Sequence, residues 1–120
     1  MKKNKISKNW IKKQNKDYFF KQSKIQGYRS RSAFKLIEMN KKFKFLKKKV
    51  SVLDLGSSPG GWSQVASREI DGGKILSIDI KHMHHIKNVS FIKGNFFEKE
   101  IYDKIKVYFD NNVDVVLSDM

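Results

Sequence analysis

Hydrophobic and polar residues follow one another along this chain with two different periods, which separate the predicted strands from the predicted helices. Four short stretches are either apolar throughout or alternate between apolar and polar residues, as strands do, and they begin at Val50, Lys74, Val89 and Val113. The fourth stretch, residues 113–118, is apolar enough to be covered on both faces. These stretches therefore predict a sheet whose strands are largely buried.

Helical spacing marks the segments that separate the strands. The clearest case has apolar residues at i, i+1, i+4, i+7 and i+8, namely Ile101, Tyr102, Ile105, Tyr108 and Phe109. Another helix is predicted after the first strand, and two precede that strand, one from Asp17 to Gln26 with Gly27 as its C-cap and one capped by Ser30 or Ser32. Alternating strands and helices predict an α/β fold with a parallel, doubly wound sheet.

In such a sheet the ligand lies at the carboxyl ends of the strands, which selects the candidate residues. A turn with three glycines, from Gly56 to Gly61, follows the first strand, and Asp79, Asn95 and Asp119 follow or end the other three. Glycine lets a ligand approach the backbone closely, and the amides that open the next helix face the same place. The sequence therefore predicts a ligand site at this edge.

Asp79 and the glycine turn together suggest an adenosine-containing cofactor. Asp79 lies 18 residues after Gly61, a separation at which an acid on the second strand can accept both ribose hydroxyls of a nicotinamide dinucleotide or of S-adenosylmethionine. The turn lacks the Gly-x-Gly-x-x-Gly spacing of a pyrophosphate site, which favours a cofactor without phosphate. Asn95 could bind the adenine through its amide, although a loop Asn serves turn geometry as often.

Charge is distributed unevenly between two predicted parts of the chain. Residues 1–49 contain 18 of the 26 basic residues and two acidic ones, a net charge of +16, whereas residues 50–120 have a net charge of −2. A cationic segment of this kind, here beginning with a mobile basic arm of sixteen residues, is typical of a surface that faces a polyanion, and RNA or DNA is the natural candidate. An alternative remains open, since lysines outnumber arginines 23 to 3, as an AT-rich genome would produce without selection for binding.

The composition excludes several classes of chemistry and of location. There is no cysteine, so disulfides, thiolate catalysis and cysteine-based zinc sites are excluded. His82, His84 and His85 lack convergent acidic residues, so we expect a solvated loop and no metal. No membrane span or secretory signal is recognisable, and a cytoplasmic protein is expected. The aromatic cluster Tyr18, Phe19 and Phe20 could stack on bases, but core packing is the commoner fate of such residues.

Three segments carry a more specific signal. They read Gly-Tyr-Arg-Ser-Arg-Ser-Ala-Phe-Lys-Leu over residues 27–36, Asp-Leu-Gly-Ser-Ser-Pro-Gly-Gly-Trp-Ser-Gln over 54–64, and Leu-Ser-Asp-Met over 117–120. From about residue 7 to the last residue, the chain closely resembles the FtsJ family of ribosomal RNA methyltransferases. The resemblance implies a Rossmann-like fold and transfer of a methyl group from S-adenosylmethionine to a uridine 2′-hydroxyl in large-subunit ribosomal RNA.

The resemblance also implies roles for individual residues. Gly60, Trp62, Asp79, Asn95 and Asp119 would bind S-adenosylmethionine, and Lys35 and Asp119 would be the first two members of the Lys-Asp-Lys-Glu catalytic set of the family. The family usually has Asp where this chain has Asn95. Ribosomal RNA or the large ribosomal subunit would be the partner, with no DNA and no membrane.

The same resemblance predicts that this chain is the N-terminal part of such an enzyme, with a Rossmann-like domain truncated after its fourth strand. Residues 50–120 would form this partial domain, and residues 1–49 an RNA-facing arm with helices. The second lysine and the glutamate of the catalytic set would lie beyond Met120, so we expect the 120-residue chain alone to be marginal or inactive. Two alternatives are a non-catalytic RNA-binding remnant and a nicotinamide-binding fragment.

Overall fold

The computed structural model describes the backbone of residues 2–120 and the side chains of residues 12–120. Four helices and four strands follow one another along the chain. The helices are α1 (Lys2–Ile25), α2 (Ala33–Phe43), α3 (Gly61–Glu69) and α4 (Lys99–Phe109), and the strands are β1 (Ser51–Leu55), β2 (Lys74–Asp79), β3 (Ser90–Lys93) and β4 (Val115–Ser118). All four predicted strands and the helix over 101–109 are confirmed.

The strands form one parallel sheet in the order β3-β2-β1-β4. Successive residues of β1 point to opposite faces: Val52 packs with α2 and α3 on one face, and Leu53 packs with α4 on the other. The apolar stripe of α4 covers the second face through Ile101, Ile105 and Phe109. Since helices cover both faces of a parallel sheet, the predicted doubly wound α/β fold is confirmed.

The N-terminal segment differs from its prediction. Instead of a mobile arm followed by a short helix from Asp17, the structure shows one helix, α1, which begins at Lys2. Residues 2–25 contain no glycine or proline and many lysines, which are good helix formers, so backbone propensity favours a helix where hydrophobic periodicity gives no signal. Met1 and the side chains before Lys12 lie outside the described residues.

Gly27 ends α1 as predicted. Its φ of +77° is in the left-handed region, and the amides of Gly27 and Tyr28 donate to the carbonyl oxygens of Lys24 and Ser23. This pair of bonds is the Schellman arrangement, which satisfies carbonyls at the helix end. The chain consequently turns back towards α2.

The predicted N-cap residue of α2 is in place, but the predicted hydrogen bond from its side chain is wrong. Ser32 occupies the N-cap position, but its hydroxyl makes no capping bond and lies 2.7 Å from the hydroxyl of Ser30. The first amides of the helix instead donate to carbonyl oxygens three residues earlier, as Ala33 does to Ser30. A tight backbone turn therefore replaces the side-chain cap.

The sheet ends at β4, which pairs with β1 on one side. Among residues 2–120, no strand pairs with the opposite edge of β4, and Val116 on this strand is exposed. In the same part of the chain, no helix combines the length and the hydropathy needed to cross a bilayer.

The first prediction compares two isoleucines at the end of β2. Ile78 is fully buried and Ile80 is 65% exposed, so truncation should leave a cavity only at the first position. We expect Ile78→Ala to lower the free energy of unfolding by about 2–5 kcal/mol and Ile80→Ala to change it by less than about 0.5 kcal/mol. Urea denaturation followed by circular dichroism measures both, and equal losses would contradict the fold.

Candidate active site

The turn after β1 lies between β2 and the start of α3. The amides of Gly56 and Ser57 both donate to the carbonyl oxygen of Ile78, at 2.8 and 3.1 Å. Gly60 stands at the N-cap of α3 with a φ of +116°, and a Cβ at this position would lie 2.9 Å from Ile86 Cδ1 and 3.1 Å from Arg29 Nη1. Only glycine combines this conformation with such close packing.

Arg29 binds the backbone of this turn and of the loop after β2. Its guanidinium donates to the carbonyl oxygens of Pro59 at 3.1 Å, His84 at 2.6 Å and His85 at 2.8 Å. Its backbone amide donates to Gln64 Oε1 at 2.7 Å, and Gln64 Nε2 donates to the carbonyl oxygen of Gly27. Arg29 therefore joins the α1–α2 loop, the glycine turn and the loop after β2 into one unit.

Asp79 organises the opening of the site at the end of β2. Its Oδ2 accepts from the Ser58 amide at 2.9 Å and its Oδ1 accepts from the Lys81 amide at 2.8 Å. Each carboxylate oxygen has two lone pairs, so both retain capacity for a ligand hydroxyl. The predicted position of Asp79 at the glycine turn is thus observed, and its predicted contact with ribose stays a prediction.

A cavity of about 280 Å³ opens beside Asp79, and its lining is mostly apolar. It is lined by Gly56, Asp79, Ile80, Gly94, Asn95, Phe96, Phe97 and Met120. Ile80 and Phe97 are exposed at 65% and 84%, so their apolar surfaces are available to a flat ring. The sequence interpretation missed both residues, although each directly follows or nearly follows a predicted site residue.

Asn95 stabilises the turn after β3, which is one of the two roles that the sequence left open for it. Its Oδ1 accepts from the Phe97 amide at 2.9 Å, which fixes the loop after β3. The side-chain NH2 group takes no part in that bond, so both of its N–H donors are available to a ligand. Asn95 lines the same cavity as Asp79, so adenine contact stays a prediction compatible with the turn.

Lys35 and Asp119 meet at a second, smaller cavity. The Lys35 Nζ lies 3.8 Å from Asp119 Oδ1, and about two thirds of the lysine side chain is exposed. Asp119, Ser57 and Trp62 are among the residues that line this cavity. The Trp62 indole is buried and donates to the carbonyl oxygen of Ser32 at 2.8 Å, so it fixes α3 against the start of the helix that carries Lys35.

Ser57 contributes a polar atom without a partner. Its hydroxyl oxygen is buried and, within the described part of the chain, has no hydrogen-bond partner. Buried polar groups are nearly always satisfied in native proteins, so a hydroxyl without a protein partner that lines a cavity is free to bond to a polar ligand group or a water there. The two cavities share Gly56.

Asp54 is a third residue that the sequence interpretation did not select as a site residue. It is 1% exposed on β1, accepts from Ser63 Oγ at 2.6 Å, and Ser63 in turn lies 2.6 Å from the Ser77 hydroxyl. Burial raises the pKa of the Asp54 carboxyl from 3.8 to about 6; the Ser63 hydrogen bond lowers it, and the charges of Asp119 and Asp79 raise it. The smaller cavity therefore has a carboxyl in its wall that changes charge at mildly acidic pH.

The three histidines lie in the exposed loop after β2. The His82 and His84 rings pack edge to face, with 5.2 Å between the ring centroids. Across the residues that the structure describes, no group of three or more histidines and acidic residues could hold a metal ion. His84 and His85 contribute instead through the backbone carbonyls that Arg29 binds.

The residues present fit a nucleoside cofactor without phosphate. A carboxylate, an amide and two exposed apolar side chains surround the larger cavity, and the orphan Ser57 hydroxyl lies in the smaller one. Mostly apolar walls with a few convergent polar groups are typical of small-molecule sites. The Lys35–Asp119 pair lies beside the smaller cavity, where a substrate could be held against the bound cofactor.

Comparison with known proteins gives consistent matches. The model of the family described as FtsJ-like methyltransferase matches residues 28–120. Ribosomal RNA large subunit methyltransferase E of Pelagibacter ubique is 55% identical over 120 residues, which cover 100% of this chain and 59% of the relative. The protein of the same name from Psychrobacter is 45% identical over 118 residues, which cover 97% of this chain and 56% of the relative.

A solved structure agrees with these matches. A Plasmodium falciparum protein described as a ribosomal RNA methyltransferase superposes with a TM-score of 0.71 at 39% identity, covering 78% of this chain and 56% of that one. The chain thus spans a little over half the length of the curated relatives it matches.

The second prediction concerns the pH dependence that Asp54 imposes on stability. Because its pKa is higher in the folded protein than in the unfolded chain, the folded state binds this proton more tightly. Its stabilising contribution is full below about pH 4 and is lost as the pH rises through about 6, a change of about 3 kcal/mol.

The comparison with Asp54→Asn isolates this group, because the amide cannot ionise and can still accept from Ser63. We expect the unfolding free energy of the unmodified protein, relative to that of Asp54→Asn, to fall by about 2 kcal/mol between pH 4 and pH 7. Denaturant titrations at each pH measure it, with the exposed Asp103→Asn as control. A constant difference would show that Asp54 stays ionised throughout.

Proposed function

Because this chain belongs to the FtsJ-like methyltransferase family, we propose that it carries the cofactor site and part of the catalytic site of an S-adenosylmethionine-dependent RNA 2′-O-methyltransferase. The substrate is a uridine ribose of large-subunit ribosomal RNA. The observation that carries the proposal is the Lys35–Asp119 ion pair, which stands at a cavity whose wall holds an unpartnered Ser57 hydroxyl.

The cofactor would be held by the residues of the two cavities. Asp79 would accept hydrogen bonds from the ribose hydroxyls, Asn95 would donate to the adenine, and Ile80 and Phe97 would provide apolar surface for the ring. When bound, S-adenosylmethionine supplies an electrophilic methyl group on a sulfonium. Ser57 and the glycine turn lie towards the Lys35–Asp119 pair, where the polar methionine part of the cofactor needs hydrogen-bond partners.

A dinucleotide fits this arrangement less well than S-adenosylmethionine. A pyrophosphate would need a turn of free amides, but the amides of Gly56 and Ser57 are both donated to the Ile78 carbonyl oxygen and that of Ser58 to Asp79. The proposal therefore keeps the preference for a cofactor without phosphate that the turn spacing suggested.

Lys35 and Asp119 act on the RNA ribose. A 2′-hydroxyl is a weak nucleophile, so its oxygen must be aligned with the methyl group at about 3 Å. As the O–C bond forms and the S–C bond breaks, the hydroxyl proton must leave to a base, for which the second lysine of the family's catalytic set would serve. The Lys35 ammonium donates to that oxygen and favours the negative charge that develops on it, and Asp119 holds the ammonium in place from 3.8 Å. Exposure of Lys35 keeps this position accessible to a large substrate.

The charge of residues 1–49 supports RNA as the substrate. This segment has a net charge of +16 and includes α2, the helix that presents Lys35. A polyanion attracted to the segment is therefore brought towards the same edge of the sheet. The alternative of RNA binding without catalysis shares this charge and differs only in predicting no methyl transfer.

The third prediction tests the cofactor through Ser57. If the unpartnered Ser57 hydroxyl forms a hydrogen bond with S-adenosylmethionine, Ser57→Ala should weaken binding of that cofactor about 2- to 10-fold. The same change should leave the melting temperature of the ligand-free protein unchanged or higher, because it removes an unsatisfied buried group.

Isothermal titration calorimetry and thermal denaturation give the two readouts. Ser67→Ala is the matched control, since the Ser67 hydroxyl bonds within α3 to the carbonyl oxygen of Gln64. Equal affinity in Ser57→Ala would refute the assignment of this hydroxyl. Tighter binding of a nicotinamide dinucleotide than of S-adenosylmethionine would refute the proposed cofactor.

The fourth prediction tests the reaction in a full-length background. A chimera joins this chain to the remainder of the Pelagibacter ubique relative, with which it shares 55% identity over the matched part. We expect the chimera to transfer label from methyl-tritiated S-adenosylmethionine to large-subunit ribosomal RNA as alkali-stable dinucleotides, the mark of 2′-O-methylation.

Lys35→Ala and Asp119→Ala in the chimera should each lower kcat by at least about 100-fold, because each removes part of the charge stabilisation at the reacting oxygen. The exposed Lys99→Ala on α4 serves as control. Label in alkali-labile nucleotides would indicate base methylation instead, and full activity of both variants would exclude the proposed roles.

A further inference from the structure

Aromatic side chains form a continuous row from α1 to α2. The Tyr18 and Phe19 rings meet edge to face at 5.3 Å, Phe19 contacts Phe34 at 5.4 Å, and Phe34 contacts Tyr28 at 5.7 Å. Arg68 closes the row, with its guanidinium 4.3 Å from the centre of the Tyr28 ring. We call Tyr18, Phe19, Phe34 and Tyr28 the aromatic row.

The row is buried at its inner end and open at its outer end. Phe34 and Tyr28 are half-buried, whereas Tyr18 is 58% exposed and its neighbour Phe20 is 52% exposed. Core packing, the commoner fate of such clusters, therefore accounts for the inner rings and leaves Tyr18 unexplained. The contact with Phe19 uses a ring edge, at 73° between the planes, so most of the Tyr18 surface remains in solvent.

The surroundings of Tyr18 are strongly cationic. Within the described side chains of α1, the lysines are Lys12, Lys13, Lys16, Lys21 and Lys24, and Asp17 is the acidic residue. Lysine at i+3 or i+4 lies beside an aromatic ring on a helix, as Lys24 does over Phe20 at 4.5 Å. An open aromatic ring among lysines matches a ligand that is both anionic and flat.

We propose that Tyr18 is a stacking site for an unpaired base of the RNA, whose phosphates are held by the lysines of α1. This inference rests on the proposed function for the identity of the polyanion. Stacking on aromatic rings beside a basic groove is the usual way in which proteins hold single-stranded RNA. The row leads from Tyr18 on α1 to Phe34 on α2, the helix that also carries Lys35, and we therefore place the stacked base and the reacting ribose on one RNA strand.

The positions of the aromatic residues distinguish RNA from a membrane or a partner helix. Consecutive helix residues are rotated by about 100°, so Tyr18 and Phe20 point to nearly opposite sides of α1. A lipid surface or an apolar partner groove would need these rings on one face. Separate stacking points suit a flexible strand, because each base can turn independently.

The test measures RNA binding by the full chain without cofactor, so it does not depend on methyl transfer. Fluorescence anisotropy is recorded with a labelled twelve-nucleotide oligouridylate and with a duplex RNA hairpin, over a series of salt concentrations. Tyr18→Ala should weaken binding of the oligouridylate between about 5-fold and 150-fold. Duplex binding and the dependence of affinity on salt should stay unchanged, because the phosphate contacts remain.

Two variants control for shape and for location. Tyr18→Trp keeps a stacking ring and should retain the affinity for oligouridylate, whereas Tyr18→Leu, which is apolar but not aromatic, should lose it. Tyr102→Ala is the matched control, because Tyr102 is 53% exposed on α4 and has Lys106 over its ring at 5.3 Å. It should bind both RNAs normally, and thermal denaturation verifies that every variant is folded.

Three results would overturn the inference: unchanged oligouridylate binding by Tyr18→Ala, an equal loss for single-stranded and duplex RNA, or an equal loss in Tyr102→Ala. Binding of phosphatidylserine vesicles that is lost in Tyr18→Ala would assign the ring to a lipid surface and would likewise overturn it. If the unmodified chain binds neither RNA, the RNA substrate of the proposed function fails as well. If it binds RNA independently of Tyr18, only the stacking site fails.

Discussion

Three carbonyl oxygens, from Pro59, His84 and His85, converge on the guanidinium of Arg29, and the arrangement of the candidate site depends on this convergence. Ser58 also connects the two loops that bear these carbonyls, since its hydroxyl donates to the carbonyl oxygen of His82 at 3.0 Å. Arg29 in addition joins both loops to the loop between α1 and α2. A planar group with five fixed donors can connect several backbones at once, which a lysine cannot do. Through Arg29 the loop between α1 and α2 is bonded to the glycine turn, so Lys35 on α2 has a defined position relative to that turn.

The second constraint is the number of carboxyl groups near one edge of the sheet. Burial is the main cause that raises the pKa of the Asp54 carboxyl, and the charges of Asp119 and Asp79 act in the same direction. Asp79 is stabilised by two backbone amides and Asp119 by Lys35. The three acidic residues thus lie in different environments: Asp54 is buried against a serine hydroxyl, Asp79 is bound by backbone amides, and Asp119 lies beside a cation.

The sequence predicted what depends on local pattern and missed what depends on distant partners. Strands β1 to β4 and helix α4 have clear hydrophobic periods, so their positions follow from the chain alone. Helix α1 has no such period, because most of its residues are polar. Its lysines nevertheless favour a helix through their backbone propensity. Arg29 and Asp54 acquire their roles from residues between 9 and 56 positions away along the chain, and no local pattern carries that information. The functional roles of Lys35, Gly60, Trp62, Asp79, Asn95 and Asp119 stay predictions from the family resemblance, although the structure gathers all six around the glycine turn.

The uneven charge also gives the molecule an orientation in an electric field. With +16 on residues 1–49 and −2 on residues 50–120, the chain has a strong dipole that ends at α1 and α2. Near a polyanion, a dipole turns its positive end forward before any contact forms, within roughly one Debye length of about 10 Å at 0.1 M salt. An encounter with a polyanion therefore begins with the face that presents Lys35, because the field orients the molecule before contact.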